Sequence, residues 1–176
     1  MNKKIIAVIA TLLVTVLALT VFVACNAVDP LEAYNKIGNA KTAVQSISVK
    51  NGNMEIAKSV LNYDFAAKTL VGERKTMNDL SADEAWTTVA ISETLEGGAT
   101  AKLSRDTVKD LLIDLNTATC KVANENLNDV FGVNAADVNG DVSLELTSDG
   151  FNLTKLVVNY TSVHGNSVTI TTQFYY

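Results

Sequence analysis

Residues 142–176 read VSLELTSDGFNLTKLVVNYTSVHGNSVTITTQFYY, and the spacing of their apolar side chains decides the fold class. Val142, Leu144 and Leu146 alternate with Ser143, Glu145 and Thr147, a period of two that places one residue set on each face of a strand. Ser148-Asp149-Gly150 makes a turn, and Leu156, Val158 and Tyr160 resume the alternation. A second turn follows at His164-Gly165-Asn166, then Val168, Ile170 and Phe174. Three strands result, each with one apolar face and one face of Thr, Ser and Asn. That pattern describes an antiparallel sheet with one wet side. Pro30 is the chain's single proline, so nothing in the later segments blocks a continuous ladder.

Working back toward the N-terminus, the signals mix. Asn124 to Phe131 reads as a helix stopped by Gly132, with Leu127, Val130 and Phe131 facing in. Thr117 to Val122 reads as a strand. Ser104 is placed to cap a short helix through Val108, Leu111, Leu112 and Leu115. Trp86 to Thr94 carries strand propensity in Thr87, Thr88, Val89 and Ile91, nearly balanced by a helical reading, and Gly97-Gly98 ends the element either way. Ser81-Ala82-Asp83-Glu84 has the form of a capping box.

Thr69 to Met77 and Met54 to Phe65 are further strands. The apolar phase of the second shifts between Val60 and Leu61, as a bulge near Lys58 to Val60 or burial on both faces would produce. Arg74-Lys75 is the charged pair expected to guard an exposed edge. Ser46 to Lys50 alternates and runs into Asn51-Gly52, a strong hairpin signal. Before it, Asp29-Pro30-Leu31-Glu32 has the N-cap, N1 proline and acidic first turn of a helix start. Leu31, Tyr34, Ile37 and Val44 extend that helix to Val44 or Gln45. A leading helix, three strands, a helical middle and three strands predict an α+β domain over residues 30–176: a curved antiparallel sheet with helices packed on one face.

The first 25 residues, MNKKIIAVIATLLVTVLALTVFVAC, have a different purpose. Lys3 and Lys4 precede an apolar run from Ile5 to Ala24 without charge, glycine or proline. Three readings fit: a cleaved lipoprotein signal, a retained membrane anchor of about 20 residues, and simple secretion. Phe22-Val23-Ala24-Cys25 resembles the lipobox of bacterial lipoproteins. That resemblance implies cleavage after Ala24, removal of residues 1–24 as a signal peptide, and acylation of Cys25 with diacylglyceryl and palmitate-type chains. Residues 25–29 are then a lipidated N-terminus and linker, and the protein is held at the cell membrane on its extracytoplasmic side.

Cleavage there leaves 152 of the 176 residues, and losing Lys3 and Lys4 moves the net charge from −5 to −7. So acidic a body disfavours nucleic acid, which needs clustered cations. It also disfavours electrostatic docking on anionic lipid, so membrane attachment is expected through the N-terminal lipid. With Cys25 acylated, Cys120 is the one thiol left, and no disulfide can form within the chain.

Pattern beyond the lipobox is similar to the LolA/LprG-like half-barrel lipoproteins. The leading helix, the early hairpin, Val130-Phe131-Gly132 and the terminal run LTKLVVNYTSVHGNSVTITTQFYY carry that resemblance. It implies a curved sheet wrapped over helices with acyl chains held in the gap.

Catalytic motifs are few. His164 is the only histidine and lies in a turn, with no nucleophile elbow to join it. Asp137-Val138-Asn139-Gly140-Asp141 imitates the start of a calcium loop, but Val142 and Ser148 occupy positions that need Gly and Glu. Neither metal nor cofactor is therefore expected, and no enzyme. Two functions follow from the residues: a lipid-anchored carrier of a hydrophobic ligand lined by Tyr63, Phe65, Leu70 and Trp86, or a cell-surface interaction or structural module whose Thr-rich outer sheet face or exposed edge meets a protein or glycan partner.

Overall fold

A computed structural model describes residues 28–78, 86–99 and 102–176. The lipobox and apolar run, with Cys25, lie outside these residues, as does the capping box at Ser81. Among the described residues nine strands make one antiparallel sheet: β1 (Thr42–Asn51), β2 (Met54–Asp64), β3 (Thr69–Met77), β4 (Trp86–Thr94), β5 (Val108–Asp114), β6 (Thr117–Val122), β7 (Val138–Ser148), β8 (Leu153–Ser162) and β9 (Ser167–Tyr175). Their spatial order is β4-β3-β2-β1-β9-β8-β7-β6-β5. Two consecutive meanders therefore meet where the first strand pairs with the last, Ala43 opposite Phe174 and Ile47 opposite Ile170.

The expectation of an α+β domain is overturned. Among the described residues the helical content is one five-residue α-helix, α1 (Pro30–Tyr34), and three short 3₁₀ turns. The predicted start of α1 is correct: the Asp29 carboxylate accepts from Leu31 N at 2.9 Å, with Pro30 in the first turn. Its extent is not. A 3₁₀ turn at Ile37–Asn39 ends it, and Val44 and Gln45 already belong to β1. The Leu31–Tyr34–Ile37 spacing is real, but from Thr42 onward the backbone groups are claimed by two neighbouring strands, β2 and β9. Pairing with a strand over a hundred residues away outweighs a weak local preference.

Residues 104–115 fail as a helix for a local reason. Thr107 closes a turn on Ser104, its N–H donating to the Ser104 carbonyl at 3.1 Å. Asp110 and Leu115 then take positive φ, 51° and 48°, which no α-helix admits. The segment is β5, and Leu112 and Leu115 point into solvent. Asn124 to Asp129 is a 3₁₀ stretch, not an α-helix, although Leu127 and Val130 do face the core. The hairpin at Asn51-Gly52 is present, Asn51 pairing with Met54. The bulge in β2 falls nearer that hairpin than expected, where register shifts between Val49 and Lys50. Arg74-Lys75 is on an interior strand, because β4 covers β3.

One face of the sheet carries the core. Val142, Leu144, Leu146, Leu156, Val158, Val168, Ile170 and Phe174 are all buried, as their alternation predicts. Over them lie α1, against β6, β7 and β8, and irregular chain. The β4–β5 connection must travel from one edge of the sheet to the other, and it is anchored on the way. The Asn35 side chain donates to the Leu103 carbonyl and accepts from Leu103 N, both at 2.7 Å. Val28 N donates to the Gly150 carbonyl at 2.7 Å, so Val28, within the expected linker, is docked on the β7–β8 turn.

Candidate functional site

Three of the four expected lining residues come together. Tyr63 pairs with Leu70 across β2 and β3, and the Tyr63 and Phe65 rings stack at 5.8 Å. Phe131 packs edge-on against Tyr63 at 5.3 Å and against Phe174 at 5.7 Å. Ring spacings between 4.5 and 7 Å are those of favourable aromatic packing. Trp86 is elsewhere. It faces Met77 at the far end of β4, an odd number of residues along β3 from Leu70, and so lies on the opposite face. There the Lys58 ammonium sits 4.8 Å from its ring centre.

Beneath the aromatic rings is a polar chain that the sequence reading missed. Gln45 is buried; its Oε1 accepts from the Tyr63 hydroxyl at 3.1 Å and its Nε2 donates to Thr172 Oγ1 at 3.2 Å. Burial pushes the Tyr63 hydroxyl above its ordinary pKa, with Glu93 adding to the effect, so the phenol stays a donor to Gln45. Gly132 lies directly over the amide with φ of +80°, and a Cβ there would sit 2.6 Å from Gln45 Nε2. Read as the tail of a helix, Gln45 gave no warning. Read as a strand residue between in-facing Ala43 and Ile47, it is a polar group aimed at the core.

Tyr34 ties the covering layer down. Its hydroxyl donates to the Asp129 carbonyl at 2.8 Å and accepts from Phe131 N at 3.2 Å. Desolvation raises its pKa far above that of a free tyrosine. Every buried side-chain polar atom among the described residues has a hydrogen-bond partner.

Two concavities lie on the surface of the described residues. A groove of about 540 Å³ runs over β2 and β3, lined by Val60 and Val71 together with Lys58, Asn62, Glu73 and Lys75. A second, of about 330 Å³, follows Leu112, Thr119 and Glu145 on the other flank. In the imitation calcium loop, Asp137 ends a 3₁₀ turn and Val138 opens β7. Among the described residues no group of three or more His, Cys, Asp or Glu is placed to hold a metal.

Cys120 faces the core from β6 and is 4% exposed. Burial pushes its thiol up to about 11, so almost no thiolate exists near neutrality. Iodoacetamide at pH 8 is expected to leave Cys120 untouched in the folded protein and to modify it fully in denaturant, as peptide mass mapping would report. Rapid native labelling would show that β6 opens readily.

No protein-family model matches the chain, and no curated protein matches it. Among solved structures, a GphF dehydratase variant aligns over 82% of this chain and 81% of its own at 12% identity, with a TM-score of 0.22. A superposition this loose carries no structural or functional inference.

Proposed function

We propose that this chain is a non-enzymatic interaction module of the cell envelope, held on the extracytoplasmic side of the membrane through lipid on Cys25. The observation that supports a module over a carrier is the state of the expected ligand lining. Tyr63 and Phe65 are packed against Phe131, which packs in turn against Phe174, and Tyr63 is hydrogen-bonded to Gln45. These side chains are already in contact, so an acyl chain entering here would have to displace ring from ring. What the fold leaves available is surface: β2, β3 and β4 form a wing whose Val60, Val71 and Val89 are about half exposed.

A second reading retains the hydrophobic ligand that the half-barrel resemblance implies, and moves it outside. Val60 and Val71, which line the β2–β3 groove, are its support.

Intact mass analysis of the membrane-extracted protein tests the tether. The expected species lacks residues 1–24 and carries a diacylglyceryl group on Cys25, and Cys25→Ser loses both changes. An unprocessed N-terminus would replace the lipid tether with a peptide anchor. Native mass spectrometry of the same preparation separates the two readings of the body. Ligand-free spectra fit the module, whereas one lipid retained per chain beyond the covalent one would favour the carrier.

A further inference from the structure

The two edges of the sheet are built differently. On β5 the ladder to β6 lapses between Lys109 and Leu112, where Asp110 has a φ of 51°. Lys109, Asp110 and Asp114 add charge, and Asp110 accepts from Lys121 Nζ at 2.8 Å. An irregularity combined with charge is how a sheet edge is kept from pairing further. The β4 edge has neither device. Its nine residues, WTTVAISET, pair with β3 in unbroken register from Thr69–Thr94 to Met77–Trp86. It contains no proline or glycine, and its single charge is Glu93. Among the described residues no strand occupies its outer side.

We infer that β4 pairs antiparallel with β4 of a second copy of this chain, about a two-fold axis at Ala90. The strand is complementary to its own reverse in that register. Val89 meets the second copy's Ile91 and Ile91 meets its Val89, so four β-branched side chains cluster on one face. Thr88 meets Ser92, a hydroxyl pair of the kind that bonds across strands. Glu93 meets Thr87, which sends the two carboxylates to opposite ends of the seam. Shifting the axis to Val89 would set Ile91 opposite Thr87 and leave one apolar pair, Val89 on Val89, where the Ala90 axis makes two. Val89 is 54% exposed in the single chain, and the pairing covers it. The open hydrogen-bonding groups of both edges are satisfied at once, joining two sheets into one.

Ala90 is exposed and lies on the proposed axis, so the experiment is a thiol placed there. Facing residues of an antiparallel pair have Cα atoms about 4.5–5.5 Å apart, within the about 4.4–6.8 Å that a disulfide spans. The full-length chain in its native membranes, carrying Ala90→Cys, is expected to give a disulfide-linked dimer under mild oxidation. Its yield should be at least about tenfold above the parent chain, because facing thiols react as an intramolecular pair. Leu112→Cys on the β5 edge should stay at the parent's level, with Cys25 and Cys120 as shared background. Adding Val89→Lys to Ala90→Cys should abolish the dimer while Cys120 remains protected from alkylation, which shows the fold intact. No dimer from a folded Ala90→Cys chain, equal dimer from Leu112→Cys, or a cross-link from position 90 to a different protein would each overturn self-pairing. The pairing rests on the edge and not on the lipid, so an unmodified Cys25 would leave it standing.

Discussion

Gly72→Ala is expected to destabilise the protein by about 3 kcal/mol, near the upper end of what one substitution does, although it adds a single methyl group at a half-buried position. Gly72 is opposite Leu61 in the β2–β3 ladder. A Cβ built on it lies 2.1 Å from the Val60 carbonyl oxygen and 2.9 Å from the Leu61 Cα. Both are main-chain atoms, so no rotamer change relieves the overlap and the two strands must part. Parting them breaks ladder hydrogen bonds worth about 1 kcal/mol each. It also withdraws β3 and β4, which have few core residues of their own, from the rest of the sheet.

The damage should therefore be uneven. Hydrogen exchange is expected to accelerate across β3 and β4 while β7, β8 and β9 keep their protection, since regions with sparse buried contacts open first. Gly97→Ala provides the comparison: a Cβ there meets nothing within 4 Å, and a change below about 0.5 kcal/mol is expected. Urea titration monitored by Trp86 fluorescence and by circular dichroism reads both variants. A Gly72→Ala protein as stable as the parent would mean that β2 and β3 separate at no cost.

These two meanders were legible to very different degrees. From Val142 to Phe174 both turns and most in-facing residues could be read, because each strand pairs with the next through a short turn and one face is mainly apolar; buried Leu153 and Thr172 were among the exceptions. Thr69–Met77 and Thr117–Val122 could be read as strands as well, whereas over Trp86–Thr94 strand and helix were nearly balanced, although five of its nine residues are β-branched. The failures share a cause. The stretch from Ile37 to Gln45 has apolar spacing compatible with a helix, and what makes Thr42–Asn51 a strand is β9 at the other end of the chain. At Ser104–Leu115 the leucines mimic a helical face, and the positive φ of Asp110 that forbids it has no glycine to announce it. Tyr63, Phe65 and Leu70 could be grouped because they are neighbours in one hairpin. Trp86 could not be excluded without knowing the β3–β4 register that turns it to the other face. Gln45 and Thr172 become visible as a pair only after β1 and β9 are known to be adjacent.

Gln45→Met should cost about 2–3 kcal/mol even though the side-chain length is preserved. The amide is the middle of a three-residue chain, accepting from Tyr63 and donating to Thr172. Thr172 is wholly buried and Gln45 nearly so, at 0% and 1% exposure. A thioether there offers no donor to the threonine oxygen and only a weak acceptor to the phenol. Each stranded buried polar group costs about 1–3 kcal/mol, more than the about 1 kcal/mol that a satisfied hydrogen bond contributes. That asymmetry makes the cost reversible by subtraction. Tyr63→Phe and Thr172→Val remove the two stranded groups, so the triple variant Gln45→Met/Tyr63→Phe/Thr172→Val is expected to recover most of the loss. Volume change cannot account for such a recovery, because the methionine remains beneath Gly132 in both proteins. If the triple variant proved no more stable than Gln45→Met alone, crowding under the Phe131-Gly132 segment, and not the hydrogen-bond chain, would be what fixes the amide at this position.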